Sequence, residues 1–108
     1  MDEHIIKEDV LNILRILSSG EEITQRDISQ KMDLSLGKTN YLLKALILQG
    51  FVKVKNFSSG INKLKKAKYI LTQKGLHERL RLAYYFLQRK EKEYLAIKKE
   101  VKSISQAH

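Results

Sequence analysis

Residues 24–50 read TQRDISQKMDLSLGKTNYLLKALILQG. Two helix starts are written into this stretch. Thr24 followed by Asp27 is a hydroxyl cap with an acid three positions on, the pattern of a capping box. Ile28 and Met32 then give a short helix its apolar face. Asp33-Leu34-Ser35 has turn chemistry, and Leu34 is the residue expected to pin the turn to a core. Ser35 is a second hydroxyl cap. Thr39, Leu42, Leu43, Leu46 and Ile47 recur along one side of the helix it opens, and Gly50 stands where a left-handed C-terminal cap belongs. The spacing predicts a short helix, a tight turn and a longer helix over residues 35–49.

The pattern extends in both directions. Upstream, Ile6, Val10, Ile13, Leu14 and Leu17 recur at three- and four-residue spacing, which predicts a helix over residues 3–18. Ser18-Ser19-Gly20 stops it. Downstream, Phe51-Val52-Lys53-Val54-Lys55 alternates apolar and basic residues, the period of a half-exposed strand. Ser58-Ser59-Gly60 is a turn, and KYILT at residues 68–72 is a second β-rich run. Residues 73–104 read as one helix capped by Thr72, on the order of 48 Å long. The order is helix, helix, turn, helix, hairpin, long helix. That is the winged variant of the helix-turn-helix, a mainly α fold with a small β-hairpin wing (α+β). Residues 1–72 are expected to form the winged DNA-binding domain, and residues 73–108 a long C-terminal dimerisation helix.

The 108 residues contain no cysteine, which excludes disulfides and thiolate metal sites. No apolar run spans a bilayer and no signal peptide is visible, so a cytoplasmic protein without a membrane partner is expected. The net charge of +9 is unevenly spread. Residues 1–34 carry four basic groups against eight acidic ones, whereas residues 35–72 carry eight lysines and no carboxylate. A solvated surface mixes its signs, so this lysine-rich stretch points to a polyanion.

No enzyme, metal or cofactor constellation is visible. His4, His77 and His108 are far apart, and the acids near the N-terminus have the pattern of a solvated helix face. Gly37-Lys38-Thr39 looks like the end of a phosphate-binding loop. That motif needs a glycine five residues earlier, where Met32 stands.

The chemistry instead suits double-stranded DNA. Helix-turn-helix proteins read base edges with the first turns of the second helix of the unit. Its N-terminus, at Ser35, favours a phosphate, and Gly37 allows close backbone approach. Lys38, Asn40, Tyr41 and Lys44 are expected on its outer face, with donors and acceptors for bases and phosphates. Lys63, Lys65, Lys66 and Lys68 on the wing are point charges suited to backbone contacts, as are Gln25 and Arg26 at the start of the second helix.

In the long helix, Leu76, Leu80, Ala83, Leu87, Lys90, Tyr94, Ile97, Val101 and Ile104 repeat at alternating four- and three-residue spacing. Only Lys90 breaks this heptad seam, which predicts pairing with a second copy. Two reading helices about 34 Å apart would then face successive major grooves of a pseudo-palindromic site.

Thr24-Gln25-Arg26, SLGKTNYLLKAL (residues 35–46), Gly50-Phe51-Val52-Lys53, Tyr69-Ile70-Leu71-Thr72, Lys74-Gly75, Phe86-Leu87 and Glu93-Tyr94 carry a resemblance. The chain resembles the small MarR-type regulators associated with exopolysaccharide (EPS) gene clusters, over about residues 5–101. The resemblance implies a bacterial transcriptional regulator linked to surface-polysaccharide genes. The larger MarR proteins have extra helices that build a ligand pocket; the chain lacks them, which speaks against a small-molecule effector. Two other readings remain open at this point: an architectural protein that coats DNA with little specificity, and a winged helix that binds protein.

Overall fold

The computed structural model describes residues 3–56 and 67–107. The elements are α1 (Glu3–Leu17), α2 (Gln25–Met32), α3 (Leu36–Leu48), β1 (Val52–Asn56), β2 (Ala67–Leu71) and α4 (Gln73–Ala107). The order and types are those expected of a winged helix-turn-helix. The turn at Ser58-Ser59-Gly60 and the wing lysines Lys63, Lys65 and Lys66 lie outside the described residues.

Local hydrogen bonds end the helices where the caps require. The Thr24 hydroxyl accepts from the Asp27 N–H, and the Asp27 carboxylate accepts from the Thr24 N–H, both at 3.2 Å. α2 closes on Asp33, held in the left-handed region at φ 53. Ser35 then caps α3, its hydroxyl accepting from the Lys38 N–H at 3.1 Å. At the far end Gly50 takes φ 82. Its N–H reaches the Ile47 carbonyl at 3.0 Å, and the Phe51 N–H reaches that of Leu46 at 2.9 Å. This is a Schellman motif, which satisfies carbonyls left open by the end of the helix.

Both strands lie one residue away from their expected positions. Phe51 is drawn into the α3 cap, and Thr72 into the cap of α4, so the hairpin runs over Val52–Asn56 and Ala67–Leu71. It is antiparallel, with Val52 opposite Leu71 and Val54 opposite Tyr69. On its other edge β2 bridges Ile23, whose carbonyl accepts from the Tyr69 N–H at 2.9 Å. The wing is thereby fastened to the segment just before α2.

The core gathers Leu11, Ile13, Leu14 and Leu17 of α1, Ile23, Ile28 of α2, Leu42, Leu43 and Leu46 of α3, Val52 of β1 and Leu82 of α4. Leu34 packs against it, as does Ile47. Thr39 is wholly buried, yet its hydroxyl is satisfied by donating to the Ser35 carbonyl at 2.9 Å. Because Leu82 is core and Ala83 and Phe86 pack on it, the core continues past the division expected at residue 72.

α4 extends to Ala107, three residues beyond the expected end, and is about 52 Å long. Every residue over 87–107 is exposed, and the chain measures 71 Å along its longest axis against 26 and 23 Å across. Among the described residues no helix is long and apolar enough to cross a membrane.

Candidate nucleic-acid interface

The turn at Asp33 sets α3 across α2 with its inner side chains in the core. What remains outside is a stripe of Gly37, Tyr41, Lys44 and Leu48, one position per helical turn, all exposed. Ser35 and Leu36 are exposed at its N-terminal end. Tyr41 is 66% and Leu48 89% accessible, so neither is held by packing. Gly37 meets only open space at the position a Cβ would take.

Two expected members of the outer face stand at its margins. Lys38 is turned toward α1, where its ammonium lies 3.1 Å from Asp9 Oδ2, and its side chain is only 28% accessible. The pair is electrostatic rather than a directed hydrogen bond, for that oxygen is buried without a hydrogen-bond donor. Asn40 is half-buried, and its Nδ2 donates to Gln25 Oε1 at 3.0 Å. Gln25 in turn donates from Nε2 to the Leu36 carbonyl at 3.1 Å. Expected as a phosphate contact, Gln25 is half-buried and ties α2 to α3.

Arg26 is exposed on the first turn of α2. Lys68 lies half-buried in β2, opposite Lys55, which pairs with Glu22 at 3.0 Å. Hydrogen bonds from the Thr24 side chain, then its backbone N–H, hold the Asp27 carboxyl below its ordinary 3.8; the charges of Lys68 and Lys31 act in the same direction. Burial pushes the Tyr69 phenol above its ordinary 10.0. Among the described residues no cluster of three or more His, Cys, Asp or Glu side chains comes together.

Three features of the site lie outside the pattern expected from the sequence. Leu48 continues the Tyr41-Lys44 spacing by one more turn, so helical periodicity alone was enough to find it. The Asp9–Lys38 pair and the Gln25–Asn40 bond join residues on separate elements, and no local pattern announces them.

This arrangement of α2, turn, α3 and hairpin defines a winged helix-turn-helix protein. A family model described as winged helix-turn-helix DNA-binding matches residues 10–53. The transcriptional regulator BldR from Sulfolobus solfataricus is similar in structure: TM-score 0.66, 17% identity, covering 82% of this chain and 60% of that one. A MarR family regulator from Neisseria meningitidis gives 0.59, 19%, 82% and 60% in the same order. The DNA complex of MepR from S. aureus gives 0.62, 16%, 93% and 79%. At these identities the likeness is one of fold. The chain spans about three fifths of the length of the first two structures. No curated protein matches it.

Proposed function

We propose that the chain is a MarR-type transcriptional regulator that binds double-stranded DNA sequence-specifically, as a homodimer, on a pseudo-palindromic operator. The observation that carries this reading is the exposed stripe of α3, which presents a tyrosine, a lysine and a helix N-terminus in a stretch of chain without a carboxylate. The reading set is Ser35, Gly37, Asn40, Tyr41 and Lys44, with Lys38 held at its margin by Asp9. Arg26, Lys63, Lys65, Lys66 and Lys68 supply phosphate contacts. The fold of a MepR solved on DNA supports the same geometry.

Pairing through α4 belongs to this proposal. Leu80, Leu87, Tyr94, Ile97, Val101 and Ile104 are exposed along one heptad seam, with Leu76 at its start. Packing against the same seam of a second copy removes it from water. Control of exopolysaccharide genes also belongs here, and rests on the resemblance carried by SLGKTNY in residues 35–41 and the segments around it.

Selection of bound duplexes from a random pool tests the reading. A regulator selects a two-fold symmetric sequence with half-sites about one helical turn apart. Equal binding to all sequences, cooperative along the duplex, would mean an architectural protein. No binding even at low salt would sink the DNA reading altogether.

A further inference from the structure

We propose that Gln25 sets which way the Asn40 carboxamide faces, and so makes Asn40 a one-way reader of an adenine edge. The inference rests on the DNA-binding reading above and goes beyond it, because it assigns Gln25 a positioning role and Asn40 a particular base.

The orientation follows from which atoms can donate. Gln25, the first residue of α2, meets the Leu36 carbonyl at 3.1 Å. A carbonyl oxygen only accepts, so the amide nitrogen of Gln25 must face it. The Gln25 oxygen is thereby turned to Asn40, 3.0 Å away. That oxygen also only accepts, so Asn40 must present its nitrogen in turn. Reversing either carboxamide sets oxygen against oxygen. The backbone of α3 therefore dictates, through one side chain of α2, the orientation of a side chain one turn further along α3.

One Asn40 N–H is used in this relay. The other N–H and the Oδ1 acceptor remain. One donor beside one acceptor complements the major-groove edge of adenine, which offers N7 as acceptor and the N6 amino group as donor. An unanchored asparagine would turn over and present the same atoms in reverse. Holding it in advance also removes the entropy lost when a free side chain is ordered on binding.

The test uses the full chain, the wild type with Gln25→Met, Asn40→Ala and the double variant. Methionine keeps the length and packing of Gln25 and removes both hydrogen bonds. Each is put through selection from a random duplex pool, and its salt dependence and thermal midpoint are measured. The wild type is expected to select adenine at one position of each half-site, and Asn40→Ala to lose that preference. Gln25→Met is expected to lose it at that same position by about tenfold. Its preference elsewhere and its salt slope should stay as in the wild type, and the double variant should match Asn40→Ala alone. Retention of the wild-type preference by Gln25→Met overturns the relay. An equal loss at every position makes Gln25 a structural brace, which also overturns it. A base other than adenine at the Asn40-dependent position overturns the assignment. If the wild type selects no sequence, the sequence-specific reading fails and the relay with it.

Discussion

The hydroxyl of Thr72 donates to the carbonyl of Gly50 at 2.6 Å, so the residue that caps the start of α4 is bonded to the glycine that closes α3. The same oxygen accepts from the Gly75 N–H at 2.9 Å, as an N-cap does. One threonine thus joins the helix proposed to read DNA to the helix proposed to pair two copies. The angle between them is set by a short, hydrogen-bonded junction rather than by a flexible linker.

Thr72→Val removes both bonds and is expected to lower stability by about 1–2 kcal/mol in urea unfolding. Gly75→Ala should be worse. A Cβ there would stand 2.1 Å from the Phe51 carbonyl oxygen and 2.7 Å from Leu71 Cδ1, so backbone must move. A loss of about 3 kcal/mol or more is expected. If Gly75→Ala is neutral, the junction is looser than described.

Lys38→Met leaves the buried Asp9 oxygen with no partner and should cost about 1–3 kcal/mol. Adding Asp9→Asn should recover most of that loss, which a double-mutant cycle measures. Asp9→Asn alone releases Lys38. It should tighten binding to random duplex and steepen the slope of log affinity against log salt by about 0.9.

Ile97→Glu places a charge in the exposed seam, where it disturbs nothing in the single chain. Sedimentation should shift from two chains to one, and duplex affinity should fall at least about a hundredfold. Lys92→Glu, off the seam, should leave both unchanged. Unchanged assembly in Ile97→Glu would place the contact elsewhere.

Asn40→Ala should relax sequence preference, whereas changing Lys65 and Lys66 to Ala should weaken binding to all sequences alike. The double lysine change should reduce the salt slope by about two. The reverse outcome would mean that reader and clamp have been exchanged.

Acid should loosen the start of α2. The Asp27 carboxyl is held below its ordinary 3.8 by Thr24, so its contribution to stability is present above that value. It is lost as pH falls through the lower folded value. Urea midpoints measured from about pH 5 downward should fall, and Asp27→Asn should flatten that part of the profile.

Much of this molecule is legible in one dimension. Thr24 with Asp27, Ser35, Gly50 and Thr72 mark helix ends, because a cap is made within three or four residues of where it acts. The apolar spacings of α1 and α3 name the buried faces for the same reason, whereas the heptad seam of α4 is exposed and its core residue, Leu82, lies off that seam. The hairpin is legible too, except that Phe51 and Thr72 serve the neighbouring caps and shift each strand by one residue.

Only the tertiary structure gave Lys38 its partner in α1, placed the Gln25 carboxamide against Asn40, bridged Ile23 to Tyr69 and pressed Gly75 onto the Phe51 carbonyl. Each joins separate elements, and its existence depends on how those elements cross rather than on which residues lie nearby in sequence. Where the helices start and stop, which faces are apolar and where the lysines gather are matters of chain order alone, since they follow from local hydrogen bonding and the helical period. Packing decided which polar side chains stay on the outer stripe and which are taken up by neighbours, since a side chain's partner is chosen by distance in three dimensions.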